Sequence, residues 1–225
     1  MFVKNEIYFD GKHCSSAEEC KNCDLQILGE DNKIYLHSFN GKGTLRLIIP
    51  TSHNKIYFGK NNIIVRSLSI LMHDAPKCKT ENIYVRIGDN NRFQGNVTIL
   101  SPTQEGNFRR RITIGCYNLF GEGVFFHGRQ DHLIYDIRTK QRINHEKNIV
   151  LDDNIWVGSC VHFLPGAKVS KNSVIGMNSM VNKKFEQENI LLAGTPAQIK
   201  KENIAWNIYL DNSYLTMDNP MDGVL

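Results

Sequence analysis

Between residues 151 and 181 an aliphatic or aromatic side chain recurs at every sixth position: Leu151, Val157, Phe163, Val169, Ile175 and Val181. Smaller side chains follow four places on, at Val161, Ala167, Ser173 and Ser179. A helix of 3.6 residues per turn would smear a strict six, and plain strand alternation would not impose one. A fixed short period is the mark of a solenoid in which each repeat is one side of a coil. Three hexapeptides close a three-sided coil, with the sixth-position side chain pointing into the prism. Successive coils then pair backbone to backbone at about 4.8 Å. The expected class is therefore all-β.

The same spacing surfaces elsewhere, less regularly. Leu28 and Ile34 are six apart, as are Phe58, Ile64 and Ile70, then Ile87, Phe93 and Ile99, and then Ile114, Phe120 and Phe126. From Ile99 to Ile114 the interval is fifteen, so residues 101–111 are expected to leave the coil as a loop carrying Arg109, Arg110 and Arg111. A longer break over 127–148 reads as a second inserted loop, and a solenoid tolerates it because only the strand ends must stay adjacent. Residues 1–86 thus read as degenerate coils and a cap, and 87–183 as the repeat body with its loop. Residues 184–225 read as a turn, a short helix over 197–210 and a polar tail.

Composition sets limits. The net charge of +4 is too small to argue for nucleic acid, and no RNP, zinc-finger or helix-turn-helix pattern is present. The opening residues lack an apolar h-region, and Ile190-Leu191-Leu192-Ala193 is far too short to cross a bilayer. A cytoplasmic location without a membrane span is expected. The six cysteines are scattered and read as free thiols. Cys20-Lys21-Asn22-Cys23 has a CxxC spacing with Cys14 and His13 nearby, yet no second pair follows, so it reads as a surface turn and no metal is expected.

Leu151-Asp152-Asp153-Asn154-Ile155-Trp156-Val157-Gly158-Ser159 resembles the signature of the hexapeptide-repeat acyltransferases, as do Leu164-Pro165-Gly166, Val174-Ile175-Gly176 and Ala193-Gly194-Thr195-Pro196-Ala197. His132-Leu133-Ile134-Tyr135 and Arg142-Ile143-Asn144 are similar to the sugar O-acetyltransferases of bacterial surface polysaccharides, capsular polysialic acid O-acetyltransferases above all. The detailed likeness covers about 110 to 206. It implies a left-handed parallel β-helix, a hand that the periodicity alone does not give. It further implies an acetyl-CoA-dependent O-acetyltransferase acting on a bacterial glycan, and a homotrimer with active sites between neighbouring subunits.

Transfer of an acetyl group from a thioester to a hydroxyl needs a base, a donor to steady the oxyanion and a held thioester. Histidine suits the first role because its ordinary pKa lies near neutrality. The resemblance places that base at His132, 24 residues before Trp156, and has Trp156 flank the reaction centre. Relatives carry an Asp two places before this histidine; here Gln130 stands there and Asp131 adjoins it, so the group that orients the ring stays open. His127, His145 and His162 are rivals for the base, and His162 faces outward in the repeat register. Ser159 and Met177 match places where the pantetheine arm of acetyl-CoA runs along coil edges. Asn182 and Lys183 match a Thr-Lys pair at its far end, and Lys201 a basic residue near its 3′-phosphate.

Two other readings share the scaffold: an N-acetyltransferase on an amino-sugar nucleotide, and a β-helical scaffold that only binds partners. The loop histidine with Trp156 argues against the second. Arg109-Arg110-Arg111 is either a solvated loop or an attractor for an anionic glycan.

Overall fold

A computed structural model describes residues 4–75, 78–79, 81–102, 109–130 and 132–208. The chain winds around three parallel sheets that we call faces 1, 2 and 3 in the order each coil visits them. Face 1 stacks Glu6–Phe9, Lys33–Leu36, Lys55–Phe58, Tyr84–Ile87, Arg111–Ile114, Ile149–Leu151, Lys168–Val169 and Lys184–Phe185. Face 2 runs from Ile63–Ile64 through Arg92–Phe93, Leu119–Phe120, Trp156–Val157 and Val174–Ile175 to Leu191–Ala193. Face 3 runs from Cys23–Ile27 through Thr44–Ile49, Ser67–Leu71, Asn96–Leu100, Val124–His127 and His162–Phe163 to Met180–Val181.

The six-residue period is the distance from one face to the next, and all six marker side chains from Leu151 to Val181 are buried. So are the smaller ones two places before, Val161, Ala167, Ser173 and Ser179, because alternate residues of a strand share a side. Aromatic rings stack along the axis: Phe93 on Phe120 at 4.9 Å and Phe126 on Phe163 at 4.6 Å. Each such pair adds about 0.5–1.5 kcal/mol beyond the burial of its area.

Polar side chains hold the corners. Asn62, Asn91 and Asn118 lie one above another between faces 1 and 2, each side-chain oxygen accepting the backbone N–H of the next coil: Asn91, Asn118 and Ile155 in turn. A second spine, Asn5, Asn32 and Asn54, does the same between faces 3 and 1, ending on the N–H of Ile83. Along the same corner the backbone turns through the left-handed region on each coil, at Asn61, Asn90, Tyr117, Asn154, Asn172 and Asn189. Asparagine reaches that region more readily than most residues.

The period breaks have one cause. Insertions 72–83, 101–110 and 128–148 all leave between a face 3 strand and the next face 1 strand, on three successive coils. They lengthen a coil without shifting strand register, as the pairing of Ile87 with Ile114 and of Ile114 with Leu151 shows.

Two expectations are corrected. Leu28 does not share the inward register of Ile34: it is 82% exposed at the corner after Cys23–Ile27, and Leu25 is the buried residue there. The stretch read as a helix over 197–210 instead begins with a strand, Gln198–Lys201, antiparallel to Leu191–Ala193. Beyond it, residues 202–208 form no helix. The weak apolar face was outcompeted by the unpaired backbone groups at the end of face 2. The tail from 211 lies outside the described residues.

Candidate active site

The inserted loop leaves face 3 at His127 and returns to face 1 at Ile149. Asn144 is its clamp: the side-chain oxygen accepts the N–H of Ile134 at 2.7 Å, and the amide donates to the carbonyl of His132 at 2.7 Å and to Gln130 Oε1 at 3.1 Å. His132 is therefore fixed through its backbone, and its side chain is exposed. The tip turns on Asp136, whose carboxylate accepts the N–H groups of Thr139 and Arg138, which hold its pKa below the ordinary value. At the return, Glu146 is 3% exposed and takes a 2.9 Å ion pair from Arg142. Gln130 is engaged with Asn144; Asp131 lies outside the described residues. Sequence reasoning missed the clamp, although Asn144 was part of a motif that it singled out. The loop also presents Leu133, Ile134, Tyr135, Ile137 and Ile143 to solvent, each at least 53% exposed.

Trp156 lies on face 2 with its side chain outward and 44% exposed, between Leu119 and Val174 of the adjacent strands. Ser159 and Met177 occupy the following corner, between faces 2 and 3, one coil apart and joined by the Asn178 N–H to the Ser159 carbonyl. Met177 is 67% exposed. Asn182 and Lys183 are exposed on the opposite edge of face 3, the edge from which the loop departs. Lys183 sits 5.3 Å over the Phe185 ring, and Lys201 is exposed on the terminal antiparallel strand. The fold thus brings Ser159 and Met177 together and keeps His132 and Trp156 on different edges. Among the described residues no hydrogen bond or ring contact joins those two within one chain.

The rival histidines have other engagements. His127 and His162 stack with Phe125 across the outer surface of face 3, and His127 Nε2 lies 2.9 Å from His162 Nδ1. His145 Nε2 meets the Arg142 carbonyl at 2.9 Å.

Beside the loop root, a cavity of about 570 Å³ opens on face 1, lined by Arg110, Arg111, Lys147, Lys168 and Lys184 against Asp152 and Glu186. Lys168 pairs with Glu186, and burial pushes the Asp152 carboxyl above its ordinary pKa while Lys168 pulls the other way. Of the arginine run, Arg109 donates to Asn82 Oδ1 at 2.9 Å and Arg111 opens a face 1 strand. The cysteine turn is not a surface feature throughout: Cys14 and Cys20 are each 3% exposed within the apolar core of the first coil. Burial, with the Cys14 thiol nearby, pushes the Cys20 thiol up to about 12. Among the described residues no group of three or more ligating side chains is placed to hold a metal.

No family model matches the chain. A galactoside O-acetyltransferase of Lactococcus lactis is 31% identical over 107 residues, 48% of this chain and 47% of that protein, so the chain matches about half of that relative's length. A polysialic acid O-acetyltransferase of Neisseria meningitidis is 28% identical over 193 residues, covering 79% of this chain and 86% of its own. Among solved structures, the polysialic acid O-acetyltransferase OatWY superposes with a TM-score of 0.53 at 22% identity, over 99% of this chain and 97% of that one. An N-acyltransferase from Bacillus cereus, AntD, superposes at 0.51 with 13% identity over 83% of this chain and 89% of its own, so fold does not separate O- from N-transfer. In its repeats, in the detailed run from the loop to the terminal turn, and in a fold shared along nearly its whole length, the chain resembles the hexapeptide-repeat acyltransferases, which are left-handed parallel β-helices.

Proposed function

We propose that the protein is an acetyl-CoA-dependent O-acetyltransferase acting on hydroxyls of a surface glycan, with a sialic acid-containing polysaccharide as the favoured acceptor. The observation that carries this is the pairing of an inserted loop, clamped by Asn144 so as to expose His132, with an outward Trp156 beside an exposed coil edge. Acetyl-CoA supplies the activated acetyl group; Ser159 and Met177 line the course of its arm, and Asn182, Lys183 and Lys201 meet its phosphate end. His132 takes the acceptor hydroxyl's proton as that oxygen adds to the thioester carbonyl, and returns it to the departing thiol sulfur. The acetyl group passes directly, and no cysteine is acylated: Cys160, the exposed thiol of the repeat, stands without a base at defined spacing. The cation-rich cavity beside the loop root favours an anionic acceptor.

Because His132 and Trp156 sit on different edges of one chain, the working site is formed between copies, with His132 of one and Trp156 of the next in a trimer. The exposed apolar residues of the loop are the contact that such a neighbour would cover. The test is subunit complementation. His132→Ala and Trp156→Ala are each expected to lower turnover, the first by roughly 10²–10⁴-fold. Co-expressed in equal amounts they assemble mixed trimers in which about one site in four has both groups intact, since each interface draws one residue from each partner. Recovery to roughly a quarter of wild-type turnover is the expected result. Mixed trimers with no more activity than their parents would overturn the shared site, and full activity in His132→Ala would overturn the base.

A further inference from the structure

After the terminal antiparallel strand the chain does not leave the solenoid. It runs back as a strap along the corner between faces 1 and 2. Ile204 exchanges hydrogen bonds with Asn189, its N–H to the Asn189 carbonyl at 2.9 Å and its carbonyl from the Asn189 side chain at 3.2 Å. Two residues on, the Trp206 indole N–H donates to the carbonyl of Asn154 at 3.0 Å. Asn154 belongs to a coil below that of Asn189 and is itself tied upward, its side chain donating to Asn172 Oδ1 at 2.9 Å. The strap is thus pinned at two levels, and the second pin is an aromatic ring. That ring stands 6.1 Å from the ring of Trp156, tilted by 39°.

This contact answers a problem the sheet leaves open. Trp156 points outward from a strand of only two residues, and its neighbours in the sheet, Leu119 and Val174, are much smaller side chains. Nothing in the parallel pairing selects one orientation for so large a ring. Trp206 is held at its own polar end by a backbone carbonyl, so it gives Trp156 a fixed lateral wall. An aromatic pair at this separation is attractive beyond the area it buries.

We propose that Trp206 is a positioning residue that sets the orientation of Trp156 at the reaction centre, an inference that rests on the role proposed above for Trp156. A wall of this kind acts on turnover. Displacement of a reacting group's neighbour by an ångström can cost up to about 100-fold in rate, while a cofactor arm bound elsewhere on the coil edge is unaffected.

The chain has two tryptophans, so replacing Trp206 leaves Trp156 as the sole indole emitter in the full-length protein. Trp206→Phe keeps an aromatic wall, and Trp206→Leu keeps apolar cover on the strap but removes the ring. In Trp206→Leu we expect a faster fluorescence anisotropy decay for Trp156, kcat down about 10-fold, and a KM for acetyl-CoA within about twofold of wild type. Trp206→Phe should recover most of the slow anisotropy and most of kcat. Identical Trp156 anisotropy in the Phe and Leu variants would show that the ring is not a wall and overturn the proposal. So would an unchanged kcat in Trp206→Leu while Trp156→Phe is impaired. If Trp156→Phe itself retains full turnover, the reading of Trp156 falls and the positioning role falls with it, an outcome told apart from the others by that single variant.

Discussion

Asn91→Ala tests whether the corner spine holds the coils together or merely accompanies backbone pairing. Asn91 is fully buried. Its amide donates to the carbonyls of Gly88 and Gly115, each at 3.0 Å, and its oxygen accepts the N–H of Asn118 at 2.8 Å. Alanine removes all three bonds. The Gly88 carbonyl keeps the amide of Asn62 at 3.0 Å, so it is not stranded. The Asn118 N–H loses the partner shown for it, inside a corner that has closed over it. Three bonds at about 1 kcal/mol each, with a further 1–2 for the stranded N–H, give a loss of about 4–5 kcal/mol. That is a large part of the stability of an ordinary domain, about 5–15 kcal/mol. Urea unfolding followed by circular dichroism should show a lower midpoint with little change in slope. Gln94→Ala, at an exposed position on the next corner, is the control and should stay within about 0.5 kcal/mol. A loss below about 1 kcal/mol in Asn91→Ala would refute the reasoning and leave the spine without a structural role.

Replacing Arg109, Arg110 and Arg111 with serine should flatten the salt dependence of affinity for a sialylated acceptor, because such attraction is screened within about 8 Å at physiological salt. A neutral acceptor of equal length is the reference, and an equal salt response for both acceptors in the wild type would remove the case for an acidic glycan. The Cys20 thiol is raised from 9.0 to about 12, so between those values the folded state keeps a proton that the unfolded chain has lost. That contribution is present below about pH 9 and fades as pH rises toward about 12. The loss of stability across this range should be shallower in Cys20→Ala, and an unchanged pH slope, read by unfolding at matched pH values, would count against a buried neutral thiol.

Much of the architecture was legible because one physical constraint repeats. A three-sided coil must place an apolar residue inward at every face, and from Leu151 to Val181 no insertion interrupts the count. Upstream the same rule operates within a coil, as Phe58, Ile64 and Ile70 show, and fails between coils because an insertion adds length where register is indifferent to it. Leu28 misled for that reason: Leu25 shares the register of Leu47 and Ile70, and extra residues between faces 3 and 1 leave Leu28, six before Ile34, facing outward. The terminal strand was not legible, since Ile199 and Lys201 face outward there and carry no periodic burial. At the site, the histidine, the tryptophan and the loop were visible as residues and as a break in period. Their separation on different edges was not, because which corner an insertion leaves from is a property of the closed coil. The clamp by Asn144 and the wall at Trp206 depend on contacts across the loop and across 50 residues of chain respectively, which no local pattern encodes.

The placement of all three long insertions on one corner separates two kinds of change that most enzymes must reconcile. The inward ladder and the asparagine spines form a frame indifferent to what hangs from that seam. Residues 72–83, 101–110 and 128–148 depart from neighbouring coils along one seam. Length and sequence can therefore vary along this seam without disturbing the strand pairing. From Lys55–Phe58 onward the other two corners carry no comparable insertion, so the edge that holds Ser159 and Met177 is left unaltered.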